Sequence, residues 1–293
     1  MKRTLFLTLF ASIMATTLSS QEQPVLLFPG GAPGESGKME QVDDLSGNKV
    51  VGCPVLRIGN VDKPTLTFYP APASNNSGVT ILVNPGGGYH ILAYNLEGTE
   101  ICKRFNEYGI NCVLVKYRVP RREGLEKHEA PLQDLQRAIA YTRSHAAEWG
   151  IDPGKIGVLG FSAGAHLSAM ASTAYRTRTY PVVDRFDEVS LRPDFCILVS
   201  PAYLSGEGFS ISPELRVDAD TPPTLLIQTQ DDSSHINSSL FYFHALKEAK
   251  VPAGMHIYPS GGHGYGLRNT GHVVNEWPDR VFSWLIDRGV LEE

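Results

Sequence analysis

Residues 155–172 read KIGVLGFSAGAHLSAMAS. The first six, Lys155–Gly160, form a short apolar run of the kind that makes a buried strand. The stretch from Ala163 to Ala174 is rich in small residues and reads as a helix. Between them, Gly160-Phe161-Ser162-Ala163-Gly164 matches G-x-S-x-G. A strand turning sharply into a helix lifts the serine hydroxyl above the sheet. It also aims the partial positive charge of the helix N-terminus at the same point. The flanking glycines are expected to admit a strained backbone. The pentapeptide alone recurs by chance, but strand before and helix after make Ser162 a candidate nucleophile.

The pattern extends outward from this turn. Further apolar, β-branched runs occur at Thr65–Tyr69, Val79–Val83, Cys112–Tyr117, Phe195–Ser200, Thr224–Thr229 and Met255–Tyr258. Several are continuous rather than alternating, as in strands covered on both faces. Helical segments are expected at Glu97–Tyr108, Ala130–Trp149, Ser238–Ala249 and Val273–Arg288. Strands alternating with helices predict an α/β fold: a mainly parallel central sheet, helices on both faces and a minimal cap. In such sheets, functional groups sit in loops at the carboxyl ends of strands. The longer irregular stretches, 118–130, 175–193 and 201–222, are too short for an independent lid.

Three such loops carry chemistry. Asn84-Pro85-Gly86-Gly87-Gly88-Tyr89 follows one strand. Its glycines let backbone N–H groups approach a ligand, and no GK[ST] follows to make it a phosphate loop. Upstream of a nucleophile turn, it is a candidate oxyanion hole in which Gly87 and Gly88 act with Ala163; the bland alternative is a flexible turn. His263 lies in Gly261-Gly262-His263-Gly264-Tyr265, an exposed loop suited to a general base. Of the other eight histidines, His166 is expected to pack inside the helix. His128, His235 and His272 have no spacing argument. Asp231 and Asp232 end the strand between nucleophile and base, and spacing does not separate them. One would orient the imidazole; the other would be a solvated or turn-capping carboxylate. Asp134 and Asp194 are weaker alternatives. Ser162, an Asp and His263 thus occur in the order Ser…Asp…His.

Composition bounds the partners. The chain has 293 residues, 42% of them hydrophobic, and a net charge of −5. That argues against a nucleic-acid partner, which needs a basic face. Residues 1–20 begin with Lys2 and Arg3, continue apolar and end in small polar residues. This is the layout of a signal peptide, with the apolar run too short to span a bilayer. The expectation is export to the periplasm or beyond, leaving 21–293 as one catalytic domain. Removing Lys2 and Arg3 leaves 24 basic against 31 acidic residues, a net −7. No other stretch reads as a membrane span. Cys102, Cys112 and Cys196 suit buried free thiols, with a bridge at Cys53 as the lesser reading. No CxxC spacing supports a metal or redox site.

The chain resembles the α/β-hydrolase superfamily. More narrowly, it is similar to bacterial secreted carbohydrate esterases and acetyl-xylan-esterase-like, lipase-like members. The similar stretches are LLFPGGAPGESG (26–37), NPGGGYH (84–90), VLVKYR (113–118) and 130–169 around the serine turn. They continue as RPDFCILVSPAYL (192–204), TPPTLLIQTQDD (221–232) and VPAGMHIYPSGGHGYGLR (251–268). The resemblance implies Ser162 as nucleophile, His263 as base, Asp232 as the acid, and Gly87, Gly88 and Ala163 as oxyanion donors. It implies a cofactor-free, metal-free serine esterase acting through an acyl-enzyme. The implied substrate carries short acyl groups on an oligo- or polysaccharide such as xylan. Tyr89, His90, Tyr94, Tyr203 and Tyr265 are candidate sugar-facing residues in the pocket; the alternative, favoured for most of the tyrosines, is ordinary half-buried packing. Two departures bear on that pocket: Ser233-Ser234-His235-Ile236-Asn237 replaces a Pro-Val-Glu-Asn-like stretch, and Asn84-Pro85 stands where related lipases place His. Competing readings are a prolyl-oligopeptidase-like peptidase and an inactive carbohydrate-binding hydrolase fold.

Overall fold

The structure is a computed structural model that describes residues 22–35 and 37–292. The expected signal peptide, 1–20, lies outside the described residues. In chain order the strands are β1 (Val25–Leu26), β2 (Val42–Asp44), β3 (Arg57–Gly59), β4 (Thr65–Tyr69), β5 (Thr80–Asn84), β6 (Leu92–Ala93), β7 (Asn111–Lys116), β8 (Ile156–Phe161), β9 (Cys196–Val199), β10 (Thr224–Thr229) and β11 (Ala253–Tyr258). The helices are α1 (Glu100–Glu107), α2 (Glu129–Ser144), α3 (Ala146–Trp149), α4 (Ala163–Thr173), α5 (Ile236–Glu248) and α6 (Trp277–Asp287).

Eight strands form one sheet in the order β1-β4-β7-β5-β8-β9-β10-β11. From β7 to β11 every neighbouring pair is parallel, while β4 runs antiparallel to both β1 and β7. The chain leaves β5 towards β7 on one side and returns to β8 on the other. The order therefore reverses at β5, and a crevice opens at the carboxyl ends of β5 and β8.

The continuous apolar runs serve two cores. Leu82, Val113, Val158, Leu198 and Leu226 face one side with residues of α2, α4 and α5. Ile81, Val83, Leu114, Leu159, Ile197 and Ile227 face the other with residues of α1 and α6. Successive side chains point to opposite faces, so both parities must be apolar. All of α4 is buried, which its small residues allow.

The seven expected strands appear within two residues of their expected ends. The expected 130–149 helix breaks at His145, whose ring stacks on Tyr141 at 3.9 Å. The last helix begins as a 3-10 turn, Val273–Glu276, and Pro278 sits in the first turn of α6, where its missing N–H costs nothing. A second sheet, β2-β3-β6, was not expected. Its strands are only two or three residues long and too short to show a period. All four cysteines are free; Cys53 is exposed and the others are buried. No helix among the described residues is long and apolar enough to cross a membrane.

The basic stretch 116–127 reads as a solvated loop, but Arg118 is 1% exposed. Its Nε donates to Asp134 Oδ1 at 2.9 Å, and its Nη2 to Ala130 O and Gln133 Oε1. Asp134, fully buried, also accepts the Arg118 N–H at 2.8 Å. Similarly, Arg137 binds Asp184 and Asp187 and fastens the irregular 175–193 segment to α2. We expect Asp134→Ala to destabilise the fold by about 3–5 kcal/mol, because it strands a buried guanidinium. Urea unfolding measures this. The double change Arg118→Met/Asp134→Leu should recover most of the loss.

Candidate active site

β8 ends at Phe161 and α4 begins at Ala163, so Ser162 alone makes the turn. Its φ is 51° and its ψ is −116°, a strained conformation for a residue with a side chain. The surroundings hold it there. Its N–H donates to Val199 O at 3.2 Å, and its carbonyl accepts from the N–H groups of Ala165, His166 and Ala202. The flanking glycines have a different role from the one expected, since neither has a positive φ. A Cβ on Gly160 would lie 2.1 Å from Gly164 O, and one on Gly164 would lie 2.1 Å from Asn84 O. Close backbone approach requires them, and the strain falls on the serine.

Ser162 Oγ lies 2.9 Å from His263 Nε2, and His263 Nδ1 lies 2.7 Å from Asp232 Oδ2. Asp232 is 5% exposed. An ionised Asp232 places the proton on Nδ1, leaving Nε2 to accept from the serine hydroxyl. Asp231 is exposed and turned away: it accepts the N–H groups of Gly262 and Gly261 at 2.9 and 3.1 Å. Those bonds hold its carboxyl below the ordinary value. It shapes the histidine loop, which Thr229 also anchors through a bond to Gly262 O at 2.6 Å. Asp134 and Asp194 are engaged elsewhere, with Arg118 and Arg143.

The glycine loop lies beside this line because β5 and β8 are adjacent, with Asn84 opposite Gly160. Gly87 has φ 135°, and a Cβ there would lie 2.0 Å from Ile91 O. No described residue accepts a hydrogen bond from the N–H of Gly87 or Gly88. The Ala163 N–H is one of the unpaired donors that open a helix. Gly87, Gly88, Ser162 and His263 line a cleft of about 330 Å³, whose other wall is the loop that leads into β3, with Asn48, Val50, Val55 and Arg57.

The expected sugar-facing residues divide. Tyr89 is fully buried and its hydroxyl bonds His166 Nδ1 at 2.8 Å, while Tyr265 is 2% exposed and bonded to Ser200 Oγ. Neither ring has a face free for a sugar, so both are corrected to packing residues. His90 is exposed, near Arg121. Tyr203 is 38% exposed and stacks on Tyr89. Tyr94 is half-buried against the core.

Glu97 has no reading as a site residue in the sequence, and His235, named there without a spacing argument, also lies at the site. Glu97, 4% exposed, lines the cleft and accepts the Gly86 N–H at 2.7 Å. Burial raises its carboxyl above the ordinary value, opposed by the Gly86 bond and the nearby His263. It is delivered by a π-helical turn, Asn95–Thr99, a geometry that concentrates at functional sites. Its only signal in the sequence is its position thirteen residues after the strand end at Asn84, which no spacing rule uses. His235 lies with its ring centroid 4.7 Å from that of His263, and burial, then His263, lowers its pKa. Asp232, His235 and His263 have ligand-type atoms within 4.8 Å of one another, as do His128, His166 and Glu214.

A serine at a strand-to-helix turn, joined by hydrogen bonds to a histidine and an aspartate at the carboxyl ends of a parallel sheet, is the arrangement of an α/β-hydrolase. Residues 67–194 match the BD-FAE family. The chain is 34% identical to the acetyl ester-xyloside bifunctional hydrolase from Caldicellulosiruptor lactoaceticus, with a TM-score of 0.68 over 78% of this chain and 89% of that one. It is 32% identical to the acetylxylan esterase of Xylanibacter ruminicola over 72% of this chain and 46% of the relative. It is 29% identical to endo-1,4-beta-xylanase B of Butyrivibrio fibrisolvens over 64% of this chain and 33% of the relative. The chain spans less than half the length of these two curated relatives. The chain is an esterase-type α/β-hydrolase, and residues 67–194 are the part that matches the BD-FAE family.

Glu97→Ala should loosen the glycine loop. We expect labelling of Ser162 by a fluorophosphonate to slow by roughly 10²-fold, with the melting temperature within a few degrees of the parent. An unchanged labelling rate would remove Glu97 from the site.

Proposed function

We propose that the protein is a serine carboxylic ester hydrolase that removes short acyl groups, acetyl above all, from a plant-type oligo- or polysaccharide such as xylan. The observation that carries the chemistry is the continuous line from Ser162 Oγ through His263 to buried Asp232, opening on the cleft. His263 Nε2 takes the serine proton as Oγ attacks the acyl carbonyl. The tetrahedral oxyanion is held by N–H groups of Gly87 or Gly88 with Ala163. The C–O bond to the alcohol breaks, and the departing alcohol oxygen takes the proton from Nε2. Water then attacks the acyl-enzyme, again losing its proton to His263, and Ser162 leaves with that proton. Every proton is carried by His263, so the scheme uses no metal or organic cofactor.

Two observations support the substrate class. Two of the similar proteins are an acetylxylan esterase and an acetyl ester-xyloside hydrolase, 32% and 34% identical to this chain. At about 330 Å³ and lined by Arg57 and Asn48 beside Val50, Val55 and Leu96, the cleft is small and mixed in polarity. That suits a small acyl group on a hydroxylated carrier better than a long acyl chain. The export expected from residues 1–20 places such substrates within reach.

On a chromogenic acetate, Ser162→Ala should lose at least about 10⁴-fold in kcat. Asp232→Asn should lose about 10⁴-fold, whereas Asp231→Asn should lose far less. Full activity of Ser162→Ala would sink the assignment. The substrate is tested by acetate released from native acetylated xylan, measured beside aryl acetates and acyl peptides. Release from xylan supports the reading. Cleavage of aryl esters alone would end the polysaccharide assignment, and preference for peptides would make the protein a peptidase.

A further inference from the structure

We propose that His128, His166 and Glu214 form a divalent transition-metal site, best matched to Zn²⁺, separate from the catalytic line. The three come from different parts of the chain: the residue before α2, the body of α4 and the irregular segment 201–222. Their ligand-type atoms all lie within 4.8 Å of one another. His166 Nε2 and Glu214 Oε1 are 3.2 Å apart. Two donors each about 2.0–2.1 Å from a tetrahedral ion stand about that far from one another. Two imidazoles and a carboxylate are a common zinc donor set, with a fourth position open to water.

The second observation is an orphaned donor. His128 is 8% exposed, and its Nδ1 is buried with no hydrogen-bond partner. A buried polar nitrogen without a partner is costly in a well-packed protein and calls for a ligand. Tyr89 Oη, 2.8 Å from His166 Nδ1, accepts from that nitrogen when Nε2 holds a metal, as outer partners of ligating histidines do. Glu214 also lines a cleft of about 530 Å³ with Thr173, Thr177 and Asp218, which gives an ion a way in.

One positive charge already stands at the site. Lys127 Nζ is 3.0 Å from Glu214 Oε1 and 26% exposed. An entering dication takes its place on Glu214, and the flexible lysine stem swings the ammonium into water. Lys127 is therefore a built-in competitor, and this separates a metal site from a purely structural network. The bound ion would tie the 201–222 segment, which carries Tyr203 at the site's edge, to α4.

The test is Zn²⁺ titration of the chelator-stripped protein by calorimetry, with the melting temperature and Co²⁺ d–d absorption as further readouts. We expect one equivalent bound with tetrahedral Co²⁺ bands and a higher melting temperature. Lys127→Met should tighten binding by roughly tenfold. His128→Ala and Glu214→Gln should each weaken it by more than the roughly 10- to 100-fold that loss of an outer partner costs. Circular dichroism shows that each variant is folded. The absence of binding in both the parent and Lys127→Met overturns the proposal. So does binding that survives His128→Ala and Glu214→Gln but is lost in His235→Ala, which would place the metal at the catalytic histidine.

Discussion

The contact on which the rest depends is the approach of three pieces of backbone at one point: the end of β8, the first turn of α4 and the end of β5. A Cβ at Gly160 or Gly164 would lie 2.1 Å from a carbonyl oxygen of the facing segment. Only glycine allows this packing, and it fixes two relationships at once. It seats α4 so that its first N–H groups open beside Ser162. It also draws the glycine loop against Ser162, because that loop starts where β5 touches Gly164. The reversal of strand order at β5 supplies the crevice. The glycines supply the closeness that brings Ser162 and the glycine loop to one cleft.

How much of this is legible in the sequence follows from which interactions are local. The seven main strands are legible because burial on both faces writes a continuous apolar run. Ser162 is legible because its strained turn needs a short fixed motif. His263 is legible from its glycine loop, but the choice between Asp231 and Asp232 is not. The two are adjacent, and what separates them is which carboxyl faces the imidazole and which faces the Gly261–Gly262 N–H groups. Family likeness points to Asp232, and the geometry gives the physical reason. Whether Tyr89 and Tyr265 face a sugar or pack is illegible for the same cause. An aromatic residue next to a functional glycine or histidine looks exposed in the chain, while tertiary packing buries both. The β2-β3-β6 sheet left no signal because its strands are shorter than any period.

Long-range pairing of charge explains why the irregular segments hold still. The chain carries a net −5, yet its largest buried polar side chains are arginines. Arg118 gathers Asp134, Glu35 and two backbone carbonyls, and Arg137 gathers Asp184, Asp187 and Leu27 O. Each guanidinium spreads several donors in one plane, so one side chain can pin several strands of loop. Arg118, just past the carboxyl end of β7, and Arg137 on α2 thus tie irregular segments to the helices and strands.

Glu97 is the point at which fold and proposed chemistry meet. A buried carboxylate beside a developing oxyanion would oppose it, and burial resists its ionisation. The Gly86 N–H bond and the nearby His263 act the other way. In the proposed reaction the imidazole becomes positive as the oxyanion forms, so an ionised Glu97 would be drawn to one and repelled by the other. Its Oε2 is spent on the Gly86 N–H, at the base of the glycine loop and not at its donor tip. That ties the carboxyl group to the base of the loop, where it orients the Gly86 peptide unit. Glu97 in this position contributes through geometry: its bond to the Gly86 N–H fixes the start of the glycine loop beside Ser162.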